Sequence, residues 1–177
     1  MSKKEIVSNG KLNTWILNRI SRRVDSNMSK YVVFDVDGTL MNINERRRFV
    51  EQRPKDWDSF NDPEKVSMDK PVKEVFTLAA LLEYAGYKIV VSSGRKKKLR
   101  DKTLQQLKDS GLVPYRSYFR SDTDFRPDVE LKRDHLQDMI LHFDGDFPEM
   151  AFDDRDSVVD MWRENAIKTF QPERGNF

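Results

Sequence analysis

The segment formed by residues 31–41, YVVFDVDGTLM, constrains the fold of this chain more than any other. Its first four residues are aromatic or β-branched, which favours a buried β-strand. Asp35 and Asp37 follow, and both carboxylates face one space because residues two apart in an extended chain point to the same side. Gly38 then permits a sharp turn. A solvated turn is the alternative, but the buried strand favours two acids at the sheet edge where open α/β folds bind ligands.

Strands and helices alternate along the rest of the chain, which predicts a parallel sheet covered on both faces. The further predicted strands span residues 88–92, 114–120, 149–152 and 166–171. The predicted helices between them span residues 71–86, 96–110, 128–143 and 156–165. We therefore expect an α/β fold of the Rossmann-like, three-layer type, with a five-stranded and mostly parallel sheet.

Two more of these strands end in polar residues. Ser93, Gly94 and Arg95 follow the second strand, where a hydroxyl, backbone amides and a guanidinium can hold a phosphate group. Asp153 and Asp154 follow the fourth strand, and adjacent carboxylates suit a divalent cation with oxygen ligands. Together with the first strand, these groups indicate phosphoryl transfer by a carboxylate nucleophile with an acid/base, a phosphate clamp and a metal pocket.

Lys132 lies on the predicted helix 128–143, four residues after Asp128. The two residues could form an ordinary helical ion pair. Alternatively, Lys132 neutralises active-site acids and a bound phosphate. His135 and His142 lie on the same helix without a second ligand pattern, so we interpret them as structural or surface residues and not as metal ligands.

Two segments lie outside this alternating pattern. Residues 1–30 carry seven basic and two acidic side chains, and residues 11–24 have the spacing of an amphipathic helix. This basic N-terminal arm could pack on the domain or a partner, or contact nucleic acid. Residues 42–70 are long, charged and rich in breaks, which is typical of a lid or small cap. We expect one short helix there, over residues 56–62, with Trp57 and Phe60 directed inward.

Composition excludes several kinds of site. The 177 residues include no cysteine, which excludes disulfides, a thiolate nucleophile and cysteine-ligated zinc. Neither a signal peptide nor an apolar run of membrane-spanning length is visible, so we expect a cytoplasmic protein with no membrane partner. The net charge of +2 indicates no partner by itself. However, residues 96–102 carry five lysine and arginine side chains at the start of a predicted helix. They could form an ordinary solvated helix face, but cations at a helix N-terminus oppose its dipole, which favours an anionic partner.

Four motifs occur in the order found in one large family. The chain resembles the haloacid dehalogenase superfamily of aspartate-nucleophile phosphatases at four motifs, namely FDVDGTL at 34–40, VVSSGR at 90–95, Lys132, and FDDR at 152–155. Four further segments resemble the 3′-phosphatase domain of phage polynucleotide kinase, namely KDWDSF, RPDVELK, DDRDSVVDMWR and FQPERGNF. The sequence has no GxxxxGK[ST] phosphate loop, so we expect the companion kinase domain to be absent and a separate kinase or ligase to be a partner. The resemblance also suggests a phage-encoded protein.

The resemblance implies roles for the acids and the lysine. Asp35 would attack phosphorus, and Asp37 would protonate the leaving alcohol and later deprotonate water. Mg²⁺ would be held by Asp35, by the backbone carbonyl of Asp37 and by Asp154, with Asp153 in support. Lys132 would bind the transferring phosphate and restrain the nucleophile.

The resemblance also implies a set of substrate contacts. Ser93 and Gly94 would bind the transferring phosphate, and Arg46 and Arg95 would contact substrate phosphate. Asp128 would orient Lys132 or these arginines. The cap formed by residues 42–70 would be too small to close the site, which would leave an open mouth for a polynucleotide end.

Three functions are consistent with these features. The first is an Mg²⁺-dependent phosphatase that removes the 3′-phosphate from a polynucleotide end. The second is a 5′-nucleotidase or small-molecule phosphatase on the same scaffold. The third, of another class, is a non-catalytic module that binds nucleic acid or protein and keeps a relic of the site.

Overall fold

A computed structural model describes residues 30–51 and 53–175 of the chain. Its main sheet has five parallel strands in the order β5-β4-β1-β6-β7. These strands are β1 (Tyr31–Phe34), β4 (Lys88–Lys96), β5 (Arg116–Arg120), β6 (Met150–Phe152) and β7 (Lys168–Phe170). A separate antiparallel pair consists of β2 (Met41–Asn42) and β3 (Lys70–Pro71).

The central strand β1 is buried on both faces, as its run of apolar residues predicts. Val32 and Phe34 belong to one hydrophobic cluster, which includes Val75 and Leu107 from α4 (Lys73–Tyr84) and α5 (Arg100–Asp109). Tyr31 and Val33 belong to the cluster on the opposite face, which includes side chains of α6 (Asp128–His142) and α7 (Asp156–Glu164). The predicted three-layer Rossmann-like fold is therefore confirmed.

Strand β4 is longer than the sequence predicts. We predicted that it ends at Ser92 and that a helix begins at Lys96, whereas β4 continues to Lys96. Its pairing with β5 is irregular between Ser93 and Lys96. A single 3₁₀ turn, Lys97–Leu99, then precedes α5. Gly94 and Arg95 thus lie in an irregular extension of the strand and not in a loop after it.

Residues 42–70 are more ordered than we expected. They contain three short helices, α1 (Asn44–Glu51), α2 (Trp57–Phe60) and α3 (Pro63–Val66), and a small core of Ile43, Val50 and Phe60. The prediction that Phe60 points inward is correct, whereas Trp57 is 46% exposed. Trp57 lies on the same face of this turn and packs edge-on against the Phe60 ring at 5.7 Å, at the outer side of the small core.

Polar side chains of α5 attach this segment to the main domain. Lys102 Nζ donates to the Pro63 carbonyl at 2.9 Å and to Ser67 Oγ at 2.6 Å. Gln106 Nε2 donates to the Val66 carbonyl at 2.6 Å. These bonds hold the end of α3 against the helix that follows β4.

Some sequence predictions fall on residues that the structure does not describe. The basic arm and its amphipathic helix at 11–24 lie outside residues 30–175, so they stay predictions. Within the described part of the chain, every helix is too short or too polar to cross a membrane.

Candidate active site

Three buried acids meet at the carboxyl ends of two neighbouring strands. Asp35 follows β1, and Asp153 and Asp154 follow β6, which pairs with β1 in parallel register. The Asp35 backbone amide donates to the Phe152 carbonyl at 2.9 Å, which fixes the two strand ends side by side. Each acid offers a carboxylate oxygen that lies within 4.8 Å of those of the other two. These three acids, which are far apart in sequence, therefore lie together at this edge of the sheet, as we expected.

Lys132 of α6 reaches into this group of acids. Its Nζ donates to Asp35 Oδ1 at 2.6 Å and to Asp153 Oδ2 at 2.7 Å, and the side chain is buried. Burial alone would lower the pKa of Lys132, but the two carboxylates outweigh burial and raise it. The lysine is therefore charged at neutral pH and spans two of the acids, whereas its contact with a bound phosphate stays a prediction.

Asp153 and Asp154 have different surroundings, although they are adjacent in sequence. Asp153 Oδ2 accepts from Lys132 and, at 3.3 Å, from Trp162 Nε1, while its Oδ1 accepts from the Arg155 amide at 3.4 Å. Asp154 Oδ2 is buried and has no hydrogen-bond partner. Burial, and then the charge of Asp153, raise the pKa of Asp154 to about 7. Asp153 is thus held by protein groups, whereas Asp154 keeps an oxygen for another ligand.

Two glycines form a cradle around this unpartnered oxygen. A Cβ on Gly38 or on Gly175 would collide with Asp154 Oδ2. Gly175 also donates its amide to the Asp154 carbonyl at 2.9 Å, and Gln171 Nε2 donates to the same carbonyl at 2.7 Å. An orphaned carboxylate oxygen beside two further acids fits a hard divalent cation. The residues present therefore suit a Mg²⁺ ion.

Asp37 belongs to a second, adjoining ion cluster. Its Oδ1 accepts from Arg46 Nη2 at 2.8 Å and from Arg95 Nη2 and Nε at 2.6 and 2.9 Å. Asp69, which precedes β3, bridges the same two guanidinium groups at 2.5–2.8 Å. Burial alone would raise the pKa of Asp37, but Arg95 and then Arg46 outweigh burial and lower it to about 2. Asp37 is therefore ionised at neutral pH in this state.

The structure places both predicted phosphate-binding arginines on carboxylates. Arg46 and Arg95 are each 1% exposed, and only Arg95 lines the cavity that contains Asp35. Sequence reasoning missed Asp69, which completes the cluster. Asp69 lies in an irregular polar stretch before Pro71, where neither spacing nor a neighbouring strand distinguishes it from other surface acids.

The remaining predicted residues surround the second strand end. The Ser93 side chain is fully buried, and its Oγ accepts from the Arg95 amide at 3.2 Å. Gly94 lines the cavity and lies close to Asp128. Asp128 forms ion pairs with Arg120 and, at 3.2 Å, with Arg155. Both arginines lie outside the set that the sequence analysis selected. The charge of Asp128 also helps to raise the pKa of Lys132, and its role in orienting that lysine stays a prediction.

The cavity above these residues has a volume of about 660 Å³. Seven predicted site residues line it, namely Asp35, Asp37, Gly94, Arg95, Asp128, Lys132 and Asp154. Ser93, Arg46 and Asp153 lie behind this wall. A larger cavity of about 870 Å³ lies beside β5 and α5, but it contains none of the clustered acids. We therefore assign the candidate site to the smaller cavity.

The two histidines do not add to the acid cluster. His135 Nδ1 lies 2.9 Å from Ser92 Oγ, and His142 Nε2 lies 3.0 Å from Arg116 Nη1. Within residues 30–51 and 53–175, the acids Asp35, Asp153 and Asp154 form the one group spaced to hold a metal ion.

Comparison with solved structures gives relatives of the same fold. A chain of the Pnkp1/Rnl/Hen1 RNA repair complex is 28% identical with a TM-score of 0.68, over 86% of this chain and 45% of that chain. This chain therefore spans less than half the length of that relative. A predicted phosphatase from Clostridium acetobutylicum is 16% identical with a TM-score of 0.62, over 82% of this chain and 85% of that one. The tungstate-bound class C acid phosphatase from Bacillus anthracis is 15% identical with a TM-score of 0.53, over 80% and 58% of the two chains.

The sequence itself matches one family along most of its length. Residues 29–177 match the polynucleotide kinase PNKP phosphatase domain. The match includes all three acids of the cluster, Lys132 and the tail that contacts Asp154. The resemblance to haloacid dehalogenase phosphatases of the polynucleotide kinase type is thus confirmed, and the chain belongs to the family of PNKP phosphatase domains.

Proposed function

We propose that this protein is an Mg²⁺-dependent phosphomonoesterase that removes the 3′-phosphate from polynucleotide ends through an aspartyl-phosphate intermediate. One observation carries the proposal: Lys132 joins Asp35 to Asp153 beside the unpartnered oxygen of Asp154, at the wall of an open cavity. This arrangement supplies a nucleophile, a positive charge and a cation ligand within one small space.

The residues that would hold Mg²⁺ are Asp35, Asp154 and the backbone carbonyl of Asp37. Asp153 would support these ligands without binding the cation directly, because its oxygens already accept hydrogen bonds from protein groups. When bound, the cation neutralises charge on the phosphoryl oxygens and lowers the pKa of the carboxyls around it. Burial raises the pKa of Asp35 and Asp154, so cation binding favours the ionised nucleophile.

The first half of the reaction forms a bond between Asp35 and phosphorus. The Asp35 carboxylate attacks the phosphate monoester, the ester P–O bond breaks, and the leaving alcohol takes a proton from Asp37. Lys132 holds the attacking carboxylate at 2.6 Å, which fixes its direction and offsets the charge of the incoming phosphate. In the second half, Asp37 accepts a proton from water while the water oxygen attacks phosphorus. The bond between Asp35 and phosphorus then breaks, inorganic phosphate leaves, and the Asp35 carboxylate is restored.

With a pKa of about 2, Asp37 is ionised, as the second half requires, but it is a weak proton acceptor while Arg46 and Arg95 hold it. The first half requires Asp37 to carry a proton. An incoming phosphate dianion raises the pKa of a neighbouring carboxyl by repulsion between like charges. The same dianion competes with Asp37 for Arg95, which lines the cavity. We propose that substrate binding loosens the hold of the arginine and thereby converts Asp37 into an acid.

The family match and the charges around the cavity support a polynucleotide substrate. The relative described above is part of an RNA repair complex, and the exposed Lys98 lines the cavity of this chain. Arg120, Arg126 and Arg155 also line the cavity, where they form ion pairs with carboxylates. Cations placed around the entrance can contact the phosphates that precede the reacting end. We also propose that a separate kinase or ligase, which acts on the same polynucleotide ends, is a partner of this protein.

A mononucleotide is the second candidate substrate. The cavity volume of about 660 Å³ is in the range of small-molecule sites, so a single nucleotide would fit. Phosphate release from single-stranded 3′- and 5′-phosphorylated oligonucleotides and from 3′- and 5′-mononucleotides, with and without Mg²⁺, tests both. We expect the 3′-phosphorylated oligonucleotide to be the best substrate and to require Mg²⁺.

Two variants control this experiment. Asp35→Asn removes the nucleophile and should abolish release, whereas Asp101→Asn changes an exposed acid on α5 and should retain it. Equal turnover of a 3′-mononucleotide and the oligonucleotide would argue against the polymer substrate. Inactivity of the unaltered protein on the whole panel would support a non-catalytic binding module.

A further inference from the structure

The outer part of the cavity has aromatic rings that the proposed chemistry does not use. Phe125, in the loop between β5 and α6, is 85% exposed, and Trp57 of α2 is 46% exposed. Both rings line the same cavity as Asp35 and Lys132. A single exposed apolar side chain is common on protein surfaces and needs no explanation by itself. Two such rings in the wall of a candidate active site indicate a ligand with an apolar face.

The loop that contains Phe125 is fixed by many hydrogen bonds. Lys96 Nζ donates to the carbonyls of Ser121, Asp122 and Asp124 at 3.4, 3.1 and 2.5 Å. Arg120 Nη1 donates to the Arg126 carbonyl at 2.7 Å. The backbone on both sides of Phe125 is therefore anchored, although the ring itself is left in solvent. A fixed backbone reduces the entropy lost when a ligand stacks on the ring.

Lys96 also fixes the position of the ring. Its Nζ lies 4.0 Å from the centroid of Phe125, which is within the range of a cation–π contact. The ring nevertheless stays largely exposed, so the contact with Lys96 leaves most of the aromatic surface open. We had interpreted Lys96 as one of several cations for an anionic ligand, whereas its donors are directed to three carbonyls. Its place in the structure is to support the loop.

We propose that Phe125 is the stacking platform for the nucleobase next to the reacting 3′-phosphate, with Trp57 as the second aromatic wall of the same seat. The proposal rests on the proposed function and narrows its substrate class to unpaired polynucleotide ends. Stacking on an aromatic ring tolerates every base, because each base has a π-face. The terminal base of a duplex has its inner face stacked on the next base pair, so it cannot contact two aromatic walls at once, whereas an unpaired base can. The site therefore selects single-stranded ends without selecting a sequence.

Phe125 is a cleaner position to test than Trp57. Trp57 packs edge-on against Phe60 at 5.7 Å, and the Phe60 ring lies 4.4 Å from the guanidinium of Arg46. Replacing Trp57 would therefore disturb the cluster around Asp37. Phe125 has no comparable connection to the acids among its contacts in the described residues, and its neighbour Lys96 retains three carbonyl partners when the ring is removed.

The kinetic test compares two single-stranded oligonucleotide 3′-phosphates, one with a normal terminal base and one with an abasic tetrahydrofuran sugar. We expect kcat/KM to be about 5-fold to 100-fold higher with the base for the unaltered protein. Phe125→Ala should lower this ratio several-fold, with the remaining preference due to Trp57, whereas Phe125→Tyr should preserve it. Tyr84→Ala removes a ring that is 93% exposed at the end of α4, outside the cavity lining, and should leave the ratio unchanged.

A fluorescence measurement separates this proposal from the proposed function. An oligonucleotide with 2-aminopurine as its 3′-terminal base binds to the Asp35→Asn protein, and stacking on Phe125 should quench the base. Adding Phe125→Ala to that protein should restore the emission. Hydrolysis of 3′-phosphates with an unchanged base preference in Phe125→Ala would overturn the stacking seat and leave the proposed function standing. Quenching that depends on Phe125 without any hydrolysis would support the seat and overturn the phosphatase.

Discussion

Asp69 holds together two buried arginines that would otherwise share a single carboxylate. It accepts from Arg46 through both oxygens and from Arg95 at 2.5 Å, and its side chain is 1% exposed. Both guanidinium groups also bind Asp37. The orientation of the proposed acid/base therefore depends on an acid that is 32 residues away in sequence and outside every recognised motif.

We predict that Asp69→Ala destabilises the protein strongly, because it leaves two buried cations with one carboxylate. The free energy of unfolding should fall by about 3–5 kcal/mol, which is the usual effect of removing one partner of a buried ion pair. Urea unfolding at pH 7 measures the change. The matched control is Asp101→Ala, which removes an exposed partner of Arg100 and should change stability by less than about 0.5 kcal/mol. Equal stability of the two variants would contradict this role of Asp69.

His135 makes stability depend on pH in a predictable direction. Burial, followed by the charges of Lys132 and Arg120, lowers the pKa of His135 to about 4. Below about pH 6.5 the unfolded chain binds a proton that the folded protein does not bind, so stability falls as the pH drops from about 6.5 to 4. This residue should contribute a loss of about 3 kcal/mol over that interval. Other groups also titrate there, so the residue must be isolated by substitution.

The variant His135→Gln keeps a neutral polar side chain and removes the titration. Its unfolding free energy, measured by urea titration at pH 7 and at pH 4.5, should decline about 2–3 kcal/mol less than that of the unaltered protein. Parallel declines in the two proteins would show that His135 is not the buried neutral group described here. The compared quantity is the change in unfolding free energy between pH 7 and pH 4.5 in each protein, so a pH-independent effect of the substitution on stability cancels.

At the scale of elements, the segment after β7 acts on the proposed metal site. Gln171 and Gly175 both donate to the Asp154 carbonyl, and Gly175 leaves no room for a Cβ beside Asp154 Oδ2. The backbone at Gly175 does not have the positive φ found at Gly38, Gly86, Gly111 and Gly145. Space, and not backbone conformation, therefore requires glycine at this position.

We predict that Gly175→Ala weakens Mg²⁺ binding about 10-fold to 100-fold, because the methyl group displaces the Asp154 carboxylate. Titration calorimetry of the protein with Mg²⁺ measures this effect without reference to activity. Gly111→Ala is the contrasting control, since its φ of +92° strains alanine but no atom lies within 4 Å of the added Cβ. That control should lose stability and keep its Mg²⁺ affinity. An unchanged affinity in Gly175→Ala would refute the cradle.

The elements were predictable to the extent that burial and periodicity determine them. The apolar strands, α4 to α7 and the acids directly after β1 and β6 follow from short-range patterns, because a buried strand end is visible in the sequence. Asp69, Phe125 and Gly175 were missed because their roles come from contacts with distant residues. The small helices of residues 44–66 were largely missed as well, since each is only one or two turns long and depends on the core of Ile43, Val50 and Phe60.

At the scale of the whole molecule, the proposed polymer substrate should make turnover sensitive to salt. Lys98 is exposed, lines the cavity and lies in the 3₁₀ turn that follows β4. For single strands, each neutralised phosphate contributes about 0.7 to the slope of log affinity against log salt concentration. A small phosphomonoester lacks these additional phosphates.

We expect kcat/KM for a 3′-phosphorylated oligonucleotide to fall steeply between 50 and 200 mM NaCl, as counterion release requires, while 4-nitrophenyl phosphate turnover changes little. Lys98→Ala should reduce the oligonucleotide slope by about 0.7. Lys168→Ala, which removes an exposed lysine on the edge strand β7, should leave the slope unchanged. Identical slopes for the two substrates would contradict contact with the polymer backbone.

The central position of β1 also has a consequence for synthesis on the ribosome. Among the described strands of the sheet, β1 is translated first, but its partners are β4 and β6. Tyr31 cannot pair until Lys88 has been translated, and Val32 lacks its second partner until Met150 has been translated. During that interval an entirely apolar strand has both edges without hydrogen-bond partners, which favours association with other chains. The nascent chain should therefore be most prone to association with other chains before β6 has emerged.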